Sequence, residues 1–153
     1  MKLINSAVAL GLAGLGVVSQ VSTATALTWN WSYTGSGINA SGQWISDGTT
    51  YDPTQNTTYT IQSISGTRNG TNITGLSTIG GADQKFRWNG TNILTNINGF
   101  AYTVSSGDPN EFKPYCLNCS GNFGNISNEL HQYVAEGSQI TSSSLSPAAV
   151  PGK

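Results

Sequence analysis

The chain has 153 residues, a formal net charge of −1 and charged side chains at only 8% of its positions. Ordinary soluble domains carry charges at about a quarter of their positions, and nucleic-acid-binding domains cluster Lys and Arg on one face. The composition therefore excludes a basic phosphate-binding surface and argues against nucleic acid as a partner. Most surface polarity has to come from hydroxyl and amide side chains, which suit hydrogen bonding to neutral polymers such as glycans and are equally typical of a long-lived extracellular β-protein with no charged partner.

The first 26 residues have the organisation of a secretory signal peptide. Lys2 precedes an uncharged apolar run from Ala7 to Val18, and a small-residue cleavage site ends at Ala26. A membrane anchor is the alternative, but the run is shorter than the roughly 20 residues that cross a bilayer. The sequence predicts export, cleavage after Ala26, no membrane span in the mature chain and an extracellular, cell-surface or periplasmic location.

Aromatic residues open the mature chain with a period of two. Trp29, Trp31 and Tyr33 alternate with polar residues, which is typical of a half-buried strand. A second strand is predicted over 38–46, where Trp44 falls in step with other apolar residues. Because alternating aromatics in a small β-protein are natural core, we expect Trp29 and Trp31 to be buried.

The phrase Asn-Gly-Thr-Asn-Ile occurs twice, at 69–73 and at 89–93. Asn-Gly between two strand-like runs is a strong hairpin signal, so both copies are predicted to be hairpin tips. In the strand before the first copy, 57–68, the apolar period slips, which predicts a β-bulge between Gln62 and Gly66.

The strand and turn pattern predicts an all-β fold. About seven to nine short strands separated by turns favour a single antiparallel β-sandwich or jelly-roll-like domain over residues 27–140. Residues 129–140 fit either a short helix or a strand pair bent at Gly137. Residues 141–153 have the composition of a flexible linker or the stump of a sorting tail.

Cys116 and Cys119 form a Cys-x-x-Cys sequence. In an exported protein we expect a disulfide that closes a small loop. A redox-active pair is the alternative, but it needs a helix N-terminus that this segment does not predict. Zinc would need further ligands, and Ser120 excludes the haem-attachment motif. No metal or other cofactor is expected.

Catalytic groupings are sparse. His131 is the single histidine and stands near Glu129 and Ser127, but no nucleophile motif surrounds them. Asp108 and Glu111 are the nearest pair of carboxylates for a glycosidase, and they lie in a turn where Asp before Pro is common. We expect no enzymatic activity. A hydrolase would instead require His131 beside a carboxylate in a pocket.

Exposed aromatics are a route to glycan binding, because flat apolar rings match the CH faces of sugars. Trp88 stands beside the second Asn-Gly turn and is the first choice for such a ring. Trp44 and Asn89 complete the predicted glycan-binding set.

Three segments, "LTWNWSYTGSGINASGQW", "YTIQSISGTRNGTNITGL" and "NGFAYTVSSG", carry a resemblance that spans most of residues 27–105. They resemble a group of exported, uncharacterised bacterial proteins that are common in cyanobacteria and often carry a PEP-CTERM sorting tail. The resemblance implies export and surface attachment and brings no catalytic residues. The chain ends in "SPAAVPGK", without the apolar stretch and basic cluster of a full tail, so we expect the tail to be truncated or absent.

The expected function is that of an exported, non-enzymatic cell-surface or extracellular-matrix protein. Its expected partners are extracellular polysaccharide or neighbouring surface proteins. The alternative is a carbohydrate-binding, lectin-like module that uses exposed aromatic side chains.

Overall fold

The computed structural model of the chain describes residues 26–132 and 137–149. The predicted signal peptide lies outside these residues except for Ala26, as do residues 150–153 of the predicted tail. The described chain consists of strands, connecting loops and one 3₁₀ turn, Ile79–Gly81, so the all-β prediction is confirmed. Within the same residues, no helix has the length and apolar character needed to cross a membrane.

Eleven strands lie within the described residues. In chain order they are β1 (Leu27–Gly35), β2 (Ile38–Ser46), β3 (Tyr59–Arg68), β4 (Thr71–Leu76), β5 (Lys85–Trp88), β6 (Ile93–Thr95), β7 (Tyr102–Val104), β8 (Glu111–Tyr115), β9 (Gly124–Asn125), β10 (Asn128–His131) and β11 (Ser138–Pro147).

Eight of these strands close into an antiparallel barrel. Around the barrel they follow the order β1, β2, β3, β4, β7, β8, β10 and β11, and β11 pairs with β1 to complete the ring. Each strand thus lies beside its neighbours along the chain, which is the up-and-down arrangement. Strands β5, β6 and β9 form a branch that begins where Tyr59 of β3 pairs with Phe86 of β5.

The predicted β-sandwich or jelly-roll-like fold is therefore wrong. A sandwich has two separate sheets with free edge strands, whereas the eight strands here form one continuous ring in which each strand has a partner on both sides. Short strands and regular turns occur in both architectures, so they do not discriminate between them. Pairing of the last strand with the first decides the fold, and it joins residues more than 100 positions apart, such as Trp31 and Leu145.

The predicted domain boundary after residue 140 is also corrected. Residues 141–147 were assigned to a linker, but they belong to β11 and complete the barrel against β1. Ile140 and Leu145 of this strand are buried. The other positions are mostly Ser and Thr, so the strand has the composition of a linker. Of the two alternatives for residues 129–140, the described part follows the strand pair, with β10 against β11.

Aromatic side chains fill the barrel. The expectation that Trp29 and Trp31 are core is confirmed, because they are 0% and 2% exposed. Trp31 stacks on Trp44 with ring centroids 5.8 Å apart. Phe86 and Phe100, both 0% exposed, pack edge-on or tilted against this pair and its neighbours. Each ring buries roughly 150–250 Å² of surface, so a small barrel gains a large apolar core from few residues.

The repeated Asn-Gly-Thr-Asn-Ile phrase forms two different turns. In the first copy Asn69 and Gly70 have φ angles of 48° and 80°, as a two-residue turn between β3 and β4 requires. In the second copy the side-chain oxygen of Asn89 accepts the backbone N–H of Asn92 at 2.7 Å and closes a longer loop between β5 and β6. Both copies are hairpin tips, as predicted.

The predicted bulge in β3 is present. Ile61 pairs with Ser46 and Ser63 pairs with Ile45, which leaves Gln62 as the extra residue. Gln62 and Ser63 are both exposed in consequence, and the core-facing period resumes at Ile64. A bulge bends its strand and increases the local twist, which helps a sheet to curve into a barrel.

Candidate functional site

Several connections between strands meet at one end of the barrel, which we call the mouth. Residues 36–37, 69–70 and 105–110 link antiparallel neighbours there, and β10 ends at the same level. The side chain of Asn69 ties two of these turns together. It donates to the carbonyl of Gly37 at 2.8 Å and accepts the backbone N–H of Asn39 at 2.8 Å.

Glu129 is the centre of a buried polar network at the mouth. Its side chain is fully buried, and charged side chains are rarely found there unless they are paired. Arg68 donates from Nη2 to Oε1 at 2.6 Å, and Tyr33 donates from its hydroxyl to Oε2 at 2.5 Å. Nε2 of His131 lies 3.0 Å from Oε1. Strands β1, β3 and β10 thus contribute one network.

Two tyrosine hydroxyls extend this network into the core. Tyr33 uses its proton on Glu129, so Tyr102 donates to the oxygen of Tyr33. Burial, followed by the nearby charges of Tyr102 and Glu129, raises the pKa of Tyr33 well above its ordinary value. Burial likewise raises the pKa of Tyr102. Both phenols therefore stay neutral donors across the physiological range.

Arg68 lies between the network and solvent. Burial lowers the pKa of its guanidinium, but the hydrogen bonds and charge of Glu129 outweigh burial and leave the pKa raised. The guanidinium carbon stands 3.7 Å from the centre of the Phe112 ring. Nε and Nη2 both bond to Glu129, whereas Nη1 has no hydrogen bond to any described residue. The side chain is 11% exposed, so it is held in place and still borders solvent.

A pocket of about 320 Å³ opens above Arg68, and we call it the mouth pocket. It is lined by Arg68, Asn69, Thr71, Val104, Ser106, Gly107, Asp108, Pro109, Phe112 and His131. Val104 and Phe112 are buried and apolar, whereas Ser106 and Asp108 are exposed on the loop between β7 and β8. The pocket thus combines apolar walls with a polar border, which is the usual make-up of a small-molecule site.

The structure brings only part of the hypothetical hydrolase together. His131 does lie beside a carboxylate and lines a pocket, as that hypothesis required. Ser127 lies elsewhere, in the connection before β10, where its hydroxyl accepts the backbone N–H of Leu117 at 3.1 Å. The hypothetical glycosidase pair is divided too. Asp108 lines the mouth pocket, while Glu111 accepts a hydrogen bond of 2.6 Å from Ser77.

A second region with distinctive chemistry is the outer face of β11, β1, β2 and β3, which we call the polar wall. Strand pairing aligns its side chains in three rows that run across the strands. The rows are Ser146–Asn30–Gln43–Ser65, Ser144–Ser32–Ser41–Thr67 and Ser142–Thr34–Asn39. All these side chains are exposed or half-buried, and none carries a charge.

Hydrogen bonds within the polar wall hold some of its side chains in register. Gln43 donates to Asn30 at 2.9 Å, and the hydroxyls of Thr34 and Ser142 are 2.6 Å apart. Side chains within a row are about 4.8 Å apart, which is the distance between paired strands. Neighbouring rows are separated by two residues along each strand. The wall therefore presents an ordered array of donors and acceptors.

A groove of about 500 Å³ crosses the polar wall over β1, β2 and β3. It is lined by Thr28, Gln43, Trp44, Ile45, Ser63, Ile64 and Ser65. Ile45 is 40% exposed, so an apolar side chain stands among hydroxyl and amide groups. The bulge at Gln62 lies beside this groove.

The predicted glycan-binding residues lie on different parts of the fold. Trp44 lines the groove, but its side chain is only 1% exposed and packs in the core. Trp88 is half-buried against Trp29, and its ring N–H donates to the carbonyl of Leu145 at 2.8 Å. Asn89 is occupied in the turn that follows Trp88.

Sequence reasoning did not identify the side chains of the polar wall. The signal for them was present, because the polar residues between Trp29, Trp31 and Tyr33 must share the opposite face of β1. Their alignment with the Ser-rich β11 follows only from barrel closure.

The cysteines Cys116 and Cys119 form a disulfide, with sulfur atoms 1.94 Å apart, in the connection after β8. Within the described ranges, no three His, Cys, Asp or Glu side chains are grouped so that they could hold a metal ion.

Comparison with protein-family models, curated proteins and solved structures found no match to this chain. What the protein binds therefore has to be inferred from the chemistry of its own surface.

Proposed function

We propose that this chain is an exported, non-enzymatic protein of the cell surface or extracellular matrix, and that its polar wall contacts neutral polysaccharide. The observation that carries the proposal is the groove on the polar wall. There Gln43, Ser63 and Ser65 surround the exposed side chain of Ile45. A pyranose ring has an apolar CH face bordered by hydroxyls, and this groove offers a complementary apolar centre with polar borders.

The ordered rows favour an extended polymer over a single small ligand. Chemically similar side chains recur across four strands, so successive units of a polymer meet similar donors and acceptors. The absence of charge in these rows matches a neutral polymer, because an acidic polymer would be attracted by basic residues. Preformed contacts such as the Gln43–Asn30 hydrogen bond reduce the ordering cost of binding.

Strand pairing argues against a partner that binds by adding a strand to the wall. Strands β1, β2, β3 and β11 each have a partner strand on both sides. A polysaccharide or a neighbouring surface protein must therefore bind through the side chains of the wall and not through its backbone.

The non-enzymatic assignment is supported by the state of Glu129. Both of its oxygens accept hydrogen bonds from Arg68 or Tyr33, and the side chain is fully buried. A general base has to reach the proton that it removes from a substrate. The disulfide between Cys116 and Cys119 supports export into an oxidising compartment.

The alternative, a lectin-like module with exposed aromatics, depends on Trp88. Its ring is half-buried, so part of its surface remains exposed to a ligand. Trp88→Phe preserves most of the packing on Trp29 but replaces the indole by a smaller ring, which reduces the exposed aromatic surface. Loss of binding in this variant would favour the lectin-like module over the polar wall.

The test is a pull-down of oxidised 27–153 protein with insoluble neutral and acidic polysaccharides. The wall variant is Gln43→Ala with Ser65→Ala. Its matched control is Asn122→Ala with Ser120→Ala, which removes the same kinds of group from the exposed segment that follows the disulfide. Loss of two hydrogen bonds predicts roughly tenfold weaker retention on neutral polymer for the wall variant alone. Equal retention of both variants, or no retention of the unmodified protein, would refute the proposal.

A further inference from the structure

We infer that the mouth pocket is a separate carbohydrate subsite that takes one neutral pyranose unit, at the end or on a branch of a polysaccharide. This inference rests on the proposed function, because it assigns the pocket to the same class of ligand as the polar wall. The pocket lies at the barrel end and is lined by residues other than those of the groove.

Apolar groups form the inner surface of the mouth pocket. Phe112 and Val104 are each 4% exposed, and Pro109 is half-buried on the loop above them. The guanidinium of Arg68 stands over the Phe112 ring, 3.7 Å from its centre, and covers that face of the ring. Apolar contact with the CH face of a sugar is therefore supplied chiefly by Pro109, together with the small exposed parts of Val104 and Phe112. The pocket volume of about 320 Å³ has room for a single pyranose with surrounding water.

Unused donors and acceptors surround this apolar surface. Nη1 of Arg68 provides a donor at the border. His131 is 20% exposed there, and because its Nε2 faces the carboxylate of Glu129, the other ring nitrogen is left as an acceptor in the neutral ring. Asp108 provides an acceptor, and its carboxylate has no hydrogen bond to the residues that the structure describes. The hydroxyls of Thr71 and Ser106 can both donate and accept. Vicinal sugar hydroxyls require this mixture of donors and acceptors at close range.

The charges of the pocket favour a neutral sugar over a sugar acid. The charge of Arg68 is already balanced by Glu129, with which it makes three hydrogen bonds. Asp108 adds a negative charge at the border that is not balanced in this way. A carboxylate on the ligand would therefore meet repulsion from Asp108, and among the described residues that line the pocket no unpaired Lys or Arg offsets it.

The buried network prepares the binding groups before a ligand arrives. Glu129 holds both Arg68 and His131, while Tyr33 fixes Glu129 from below. Arginine ordinarily loses much rotamer freedom when it binds a ligand, and here that loss has already occurred on folding. This arrangement gives a physical role to Glu129 and Tyr33, which are fully buried and do not line the pocket.

The test is a calorimetric or NMR titration of the oxidised 27–153 protein with the methyl pyranosides of glucose, galactose and mannose. Methyl glucuronide serves as the anionic counterpart. We expect at least one neutral pyranoside to bind with a dissociation constant of about 1 mM and the glucuronide to bind at least tenfold more weakly. Asp108→Ala should weaken binding of the neutral sugar about tenfold, and Asp108→Asn should reduce discrimination against the glucuronide.

Thr71→Val provides a second, nearly isosteric variant that removes a hydroxyl from the pocket. Thr74→Val on the same strand is its control, because Thr74 is exposed and does not line the pocket. Binding that survives both Asp108→Ala and Thr71→Val, tighter binding of the glucuronide, or no binding of any neutral pyranoside would overturn the inference.

The wall variant from the pull-down distinguishes failure of the inference from failure of the proposed function. This variant should bind the pyranoside with unchanged affinity, while its retention on insoluble neutral polysaccharide is weakened. Polysaccharide retention without pyranoside binding would leave the polar wall as the functional surface and refute the subsite. Pyranoside binding without retention of any polymer would instead refute the role of the polar wall.

Discussion

Strand β3 runs from the polar wall into the mouth, and its chemistry changes along the way. Ser65 lies in a neutral, exposed row of the wall. Three positions later, Arg68 forms an ion pair with the fully buried Glu129. In a chain with charges at only 8% of its positions, the wall uses none, whereas the mouth uses two in its interior.

The comparison indicates that the two regions depend on different forces. The mouth is held by a few strong interactions, so the loss of one carboxylate affects several partners at once. The polar wall is held by backbone pairing beneath it, so its side chains are free to vary with little effect on folding.

Glu129→Gln should be the most destabilising change at the mouth. It keeps the shape of the side chain but leaves the charge of Arg68 buried without its counter-charge. Breaking one side of a buried pair costs about 3–5 kcal/mol of the free energy of unfolding. Urea denaturation followed by tryptophan fluorescence measures this loss. A loss below about 1 kcal/mol would show that the mouth is no more sensitive than the wall.

Gly42→Ala should be the most destabilising change beneath the polar wall. A Cβ atom at this position would lie 1.9 Å from the carbonyl oxygen of Ser65, so β2 and β3 would have to separate. Overpacking of this kind costs about 1–3 kcal/mol. Gly75→Ala is the control, because no atom lies within 4 Å of a Cβ placed there. Equal unfolding midpoints for the two variants would contradict the importance of this close strand contact.

Tyr33→Phe should have an intermediate effect and also change the response to alkaline pH. The variant loses the hydrogen bond to Glu129, which is worth about 1.5–3 kcal/mol for a charged acceptor. Burial, and then the charges of Tyr102 and Glu129, raise the pKa of Tyr33 in the folded state. The unfolded chain therefore loses this proton first as pH rises. The stability is fully present below pH of about 10 and falls above it.

Thermal unfolding measured by circular dichroism from about pH 8 to about pH 11, a range that brackets the ordinary tyrosine pKa of about 10, tests this dependence. The unmodified protein should lose stability more steeply above pH of about 10 than Tyr33→Phe. Parallel pH profiles for the two proteins would show that the phenol does not contribute in this way.

Much of the local structure was predictable from the sequence because it depends on neighbouring residues. The period of two in Trp29, Trp31 and Tyr33 predicted a buried face, and Asn69-Gly70 predicted a hairpin. Barrel closure was not predictable in the same way, because it depends on pairing between β1 and β11. The composition of β11 hides its two buried apolar residues among Ser and Thr.

The candidate sites were less predictable because they join distant parts of the chain. Tyr33 and Glu129 are 96 positions apart, and their contact exists only once β1 and β10 face the same interior. A spacing of two places Glu129 and His131 on one face only if the segment is a strand, and the sequence left open whether it is a strand pair or a short helix. The spacing gave no indication that Arg68 and Tyr33 would take up the carboxylate.

The smallest predicted effect comes from the pair Asn30 and Gln43 on the polar wall. Their hydrogen bond of 2.9 Å is exposed, so water replaces either partner readily. Asn30→Ala, Gln43→Ala and the double variant should each change the free energy of unfolding by less than about 0.5 kcal/mol, with a coupling energy of similar size. The same denaturation assay measures all three variants. A coupling above about 1 kcal/mol would mean that the wall side chains stabilise the barrel. Their alignment in rows would then no longer support a role in polymer binding.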